Sequence, residues 1–187
     1  DLHLSIRRQR QMCIRDRNIV QGARMAGATT IIAVDVTQEK LDLAKKVGAT
    51  HVINGATSDP VAMVKEICGG VDYAFEALGR ESTIQQAWGT VGVDGTLILV
   101  GLMKNGATIT LDAGPFVNEQ SIKGCYFGSA NLRKDVPALV KSYLNGELFL
   151  DELISERIGL EGLNSAFDRL RAGEGARNVL VLSLIHI

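Results

Sequence analysis

A doubly wound α/β fold, a parallel sheet with helices on both faces, is what this sequence predicts. Two observations carry the expectation. From Asn18 onward, segments with a helical apolar period alternate with short β-branched runs. Those runs, such as "TTIIAVDV" and "TLILVG", are almost continuously apolar, which calls for cover on both faces. A chain of 187 residues with 46% hydrophobic content is long enough to bury one good core.

The elements follow in order. "NIVQGARMAGA" (residues 18–28) reads as a core-facing helix, and "TTIIAVDV" as the strand after it. "TQEKLDLAKKVGA" is a helix with Lys45 and Lys46 in its last turn, where cations suit the dipole, and Gly48 just past its end. "HVIN" is a short strand; Asp59 then caps a helix with Pro60 at its first position, which stops at Gly69 and Gly70. "VDYAFEAL", "ESTIQQAWGTV" and "TLILVG" continue as strand, helix and strand. "ATITLD" and "SIKGCYFG" read as strands. "LRKDVPALVKSYLNG" puts Val136, Leu139, Val140, Tyr143 and Leu144 on one stripe, with Pro137 tolerable only in a first turn. "LEGLNSAFDRLRAG" (160–173) and "NVLVLS" (178–183) close the pattern as helix and strand.

The net charge of −1 gives no electrostatic footprint for nucleic acid or an anionic membrane, and no run of 18 apolar residues or signal-type segment occurs, so a cytoplasmic protein is expected. The balance is uneven. Residues 1–17 hold five of the 20 basic side chains and two of the 21 acidic ones, leaving 15 against 19 and a net of −4 for the rest. Cys13, Cys68 and Cys125 are too widely spaced for a metal site and read as thiols packed as small apolar groups. His51 opens a strand without ligand-type neighbours and reads as structural.

Asp35 closes "IIAVDV". An acid at the end of the second strand of a dinucleotide-binding unit accepts hydrogen bonds from the adenosine ribose, and its charge repels a 2′-phosphate, favouring NAD over NADP. An acid after a strand can also simply cap the next helix. About 20 residues upstream a glycine-rich turn is expected, yet residues 11–16 read "QMCIRD". Without glycine the tight turn and the close backbone approach to a diphosphate are lost, and Asp16 opposes an anion at the helix start. This loop should cradle a diphosphate poorly.

From Asn18 to about Leu182 the chain resembles the cofactor domain of the zinc-dependent medium-chain alcohol dehydrogenases, near the class III (formaldehyde) branch. The stretches that carry the resemblance are "IIAVDVTQEKLDLAKKVGATHVIN", "GGVDYAFEALGRESTIQQAW", "GTLILVG", "IKGCYFGS" and "LRAGEGARNVLVL". It implies a Rossmann-like sheet in the order 3-2-1-4-5-6, and something like G-x-G-G-V-G before Asn18. Residues 1–17 and the tail "SLIHI" instead resemble translated sequencing adapter; the other reading is a divergent genuine terminus. The proper first strand is then missing. Residues 2–6 or 12–14 stand in for it, or a gap divides the sheet and leaves unpaired edges that harm solubility.

Carried over by position, the resemblance assigns Asp35 and Lys40 to the ribose, and Val34 and Val36 to the adenine pocket. It lays Ala77, Leu78, Gly79 and Arg80 along the cofactor, with Val100, Gly101 and Leu102 beside the nicotinamide. Cys125 and Phe127 offer backbone groups on its other side, and Arg177 meets the diphosphate. Lys40 and Arg80 also read as solvated charges, and Arg177 as a surface ion-pair partner. The family's zinc centres and proton relay belong to a separate catalytic domain, so no catalytic or metal residue is assigned here.

The implied activity is hydride transfer between NAD and a primary alcohol or aldehyde adduct, with this chain supplying only the cofactor domain. The alternatives are a zinc-free quinone or enoyl reductase, which Asp35 disfavours, and a non-catalytic dimerisation module. The strands around residues 106–125 form the family's intersubunit edge, which implies a homodimer or larger assembly.

Overall fold

The computed structural model describes residues 3–7, 13–172 and 177–182. Ten elements make the main body: β1 (His3–Arg7), α1 (Cys13–Met25), β2 (Thr30–Asp35), α2 (Gln38–Lys46), β3 (His51–Asn54), α3 (Pro60–Cys68), β4 (Val71–Glu76), α4 (Glu81–Thr90), β5 (Val91–Leu99) and β6 (Ser121–Gly124). All five strand pairs are parallel, in the order β3-β2-β1-β4-β5-β6, which is the doubly wound arrangement expected.

Of the three fates foreseen for the first strand, the first is observed. Residues 3–7 take the central place, with Leu4 opposite Ile31 on one side and Tyr73 on the other. No gap divides the sheet, so the foreseen unpaired central edges do not arise. Residues 13 and 14 belong to α1, not to a strand, and residues 2 and 12 lie outside those described, as do 173 and 183–187. Helix α1 starts five residues before Asn18, so the turn of "CIRDR" is helical although it lacks an apolar period.

The strand β2 shows why apolar runs signal burial on two sides. Ile32 and Val34 join the core formed with Val64, Ile84, Trp88 and Leu97, whereas Ile31 and Ala33 join Val20, Ala44 and Val47 on the opposite face. Period-two alternation sends consecutive side chains to opposite faces, and α1 with α2 covers one while α3 with α4 covers the other. The expected punctuation is in place. The Asp59 carboxylate accepts from the Val61 amide at 3.0 Å with Pro60 at the first helical position, and Gly69 ends α3 at φ 75°. Gly48 follows α2 at φ 122°.

The second half departs further from expectation. Residues 107–112 form no strand; Ile109 and Leu111 reach the core from irregular chain, and this segment is held through side chains, with Gln85 donating to the Thr110 carbonyl and Trp88 to that of Asp112. Beyond β6 come α5 (Leu132–Leu144), β7 (Glu156–Ile158), α6 (Leu163–Ala172) and β8 (Asn178–Leu180), the last strand pairing in parallel with β7 in a second, two-stranded sheet. Pro137 sits past the first turn of α5 and leaves the Arg133 carbonyl without its usual intrahelical donor. The predicted stripe of Val136, Leu139, Val140, Tyr143 and Leu144 is exposed along its length. This region ties back to the main body through Gln21, a fully buried side chain whose amide group donates to the Phe149 carbonyl at 3.1 Å and accepts from its N–H at 2.6 Å. Arg24, one turn on, donates to the Glu147 carbonyl and lies over the Phe149 ring.

Candidate functional site

The carboxyl ends of β2, β4 and β5 are where an open α/β sheet presents its ligand crevice. Glu76, the last residue of β4, organises that end. Its side chain is fully buried, and its carboxylate accepts from the Leu78 amide at 2.8 Å, the Gly79 amide at 2.9 and 3.0 Å and the Thr83 hydroxyl at 2.7 Å. Its carbonyl accepts from the amides of Val100 and Gly101 at 2.8 and 2.9 Å. One residue therefore holds both the Ala77–Leu78–Gly79–Arg80 turn and the start of the Val100–Gly101–Leu102 segment. A buried carboxylate persists only where donors satisfy it, and this one has four donor contacts.

Two glycines let those segments touch. Gly79 has φ 77°, and a Cβ on it would stand 2.3 Å from the Leu102 carbonyl oxygen; on Gly101 a Cβ would stand 2.0 Å from the Gly79 nitrogen. Sequence reasoning assigned both glycines to the site but missed Glu76. A carboxylate as the last residue of an apolar strand, followed by a glycine three residues later, was the signal available.

Asp35 is 5% exposed at the end of β2, and its Oδ1 accepts from the Thr37 amide at 2.9 Å. It thus orders the turn into α2, while Thr37 takes the cap position without a side-chain bond. Val34 is buried, and Val36 and Lys40 are half-buried near the same end. Arg80 is exposed at the cap position of α4. On the far side of β5, the Cys125 amide donates to the Leu99 carbonyl at 3.0 Å with its side chain half-buried, while Phe127 is 78% exposed with φ 48°. Arg177 is exposed, and its backbone bonds with Ser155 beside the second sheet. Cys68 donates its thiol to the Val64 and Gly70 carbonyls, and exposed His51 contacts the Thr50 hydroxyl.

At the start of α1, where a diphosphate would be received, the Arg15 side chain reaches across to the Val100 carbonyl at 3.2 Å. A cleft of about 730 Å³ lies elsewhere, lined by Lys65, Trp88, Asp112 and Gln120 among others; none of the assigned residues borders it. Among the described residues no group of three or more His, Cys, Asp or Glu side chains is placed to hold a metal ion. No helix among them is long and apolar enough to cross a membrane.

A parallel sheet in this order, with its loops gathered at the carboxyl ends of β2, β4 and β5, defines a Rossmann-like dehydrogenase domain. Residues 17–145 match the family described as zinc-binding dehydrogenase, and the chain belongs to that family. It is 36% identical over 172 residues to the alcohol dehydrogenase class-3 of Oryza sativa subsp. japonica, with 87% of this chain and 44% of that protein covered. Against the S-(hydroxymethyl)glutathione dehydrogenase of Paracoccus denitrificans it is 34% identical over 181 residues, covering 88% and 46%. The structure of benzyl alcohol dehydrogenase from Acinetobacter calcoaceticus superposes with a TM-score of 0.91 at 31% identity, over 97% of this chain and 50% of that one. The chain spans about half the length of the relatives it matches.

Proposed function

We propose that this chain is the cofactor-domain part of an NAD-dependent, zinc-dependent dehydrogenase that transfers hydride between NAD and a primary alcohol or an aldehyde adduct. The observation that carries the reading is the Glu76 junction. It holds the turn after β4 and the segment after β5 together at the crevice end of the sheet, where a nicotinamide would lie against backbone. Asp35 at the end of β2 supports NAD over NADP by repelling a 2′-phosphate.

The residues present do not fit every part of that group. The described side chains offer no zinc centre, and the glycine-rich turn is replaced by residues 11–16, with Arg15 already bonded to Val100. The zinc ligands belong to the remainder of the whole protein, and this chain alone is inactive. The exposed edge strand β6, with Val117 exposed beside it, supports a homodimer in the intact protein.

The test is the coding sequence upstream in the genome. A reading frame that encodes zinc-ligand cysteines and a glycine-rich turn, and whose product reduces NAD with primary alcohols or thiol–aldehyde adducts, supports the reading. A product that reduces quinones with NADPH overturns it.

A further inference from the structure

We infer that Arg15 occupies the place of the nicotinamide carboxamide, so that this side chain adds a penalty on the nicotinamide half of a dinucleotide to the loss of the diphosphate cradle. The inference rests on the proposed placement of the nicotinamide against the segment after β5, where its carboxamide would donate to the Val100 carbonyl, and says which ligand class that end of the site accepts.

Arg15 is the third residue of α1, in the turn where the unpaired amides concentrate positive potential and a cation is disfavoured. Its side chain leaves the helix end and donates to the Val100 carbonyl, 85 residues away, from a half-buried position. That carbonyl lies just past the last register pair of β5, Leu99 with Gly124, at the crevice end of the sheet. Its direction is set by the fold and not by Arg15, because the Gly101 amide in the same peptide plane donates to the Glu76 carbonyl.

A guanidinium N–H and a carboxamide N–H are planar donors of the same kind, so both compete for this oxygen. The guanidinium holds it with a charge-assisted bond, the stronger of the two. Its charge adds a second effect, since the oxidised nicotinamide ring is cationic and the reduced ring is neutral. Arg15 therefore penalises NAD more than NADH, and both more than ADP-ribose, which has no ring at that end.

The test titrates the full chain and its Arg15→Met and Arg15→Lys variants with NAD, NADH and ADP-ribose, following the amide resonances of Val100 and Gly101. Methionine keeps most of the stem and removes every N–H. The expected result is that Arg15→Met binds NAD about tenfold tighter than the parent. NADH should gain less, ADP-ribose should gain least of the three, and Arg15→Lys should stay near the parent. The inference is overturned if ADP-ribose binds all three proteins while Arg15→Met leaves NAD affinity unchanged, or if ADP-ribose gains as much as NAD. Failure of every protein to bind NAD, NADH and ADP-ribose even at millimolar concentration overturns the nucleotide reading of the domain, and this inference with it.

Discussion

Gly101 lies against Gly79 so closely that a Cβ on the first would stand 2.0 Å from the amide nitrogen of the second. Backbone-to-backbone contact of this kind has no side chain to yield, so Gly101→Ala must move one segment or the other. The substitution should destabilise the chain by about 2–4 kcal/mol in urea unfolding. Gly22 is the control. It is exposed within α1 with nothing near its absent Cβ, and Gly22→Ala should stabilise by about 0.5–1 kcal/mol.

Glu76→Ala should cost roughly 2–5 kcal/mol, because the amides of Leu78 and Gly79 lose a buried acceptor. Glu76→Gln keeps one acceptor oxygen but turns an N–H group toward the donors it faced, so an intermediate loss is expected. Hydrogen exchange at the Gly79 amide should accelerate in both variants, and unchanged protection would contradict the role given to this carboxylate.

Asp59→Ala removes the acceptor for the Val61 amide at the start of α3. The expected loss is about 1 kcal/mol, read as a lower urea midpoint with an unchanged slope.

Tyr143 donates its hydroxyl to Asp151 at 2.6 Å, and that bond, together with the carboxylate charge, raises the phenol above its ordinary 10.0. The sign follows directly. The folded state holds this proton more tightly than the unfolded one, so the stabilisation is complete below pH 10.0 and is lost as pH rises through the raised value. Phenolate absorbance should show Asp151→Asn moving the titration back down toward 10.0.

The sheet was legible because local signals were redundant. Apolar runs, the Asp59–Pro60 start and the glycines after α2 and α3 each point to the same boundaries. Where one signal stood alone, the reading failed. The alternation in residues 107–112 suggested a strand, but those residues are held by Gln85 and Trp88 from α4, not by a neighbouring ladder. The stripe of α5 was located correctly, yet periodicity tells which side chains share a face and not what covers it. Asp35 stood out by its place at the end of a strand, whereas the two glycines were assigned only through the family resemblance. Glu76 was not singled out, since only the fold reveals how many amides converge on it. The link from Arg15 to Val100 spans 85 residues and has no local signature at all.

The account stands most directly on calorimetric titration of NAD into two proteins: this chain, and the same chain with residues 11–16 replaced by Gly-Leu-Gly-Gly-Val-Gly. The account predicts no binding to the first through the micromolar range and micromolar binding to the second, since the turn restores the diphosphate cradle and removes Arg15. Micromolar binding by the unaltered chain would contradict it.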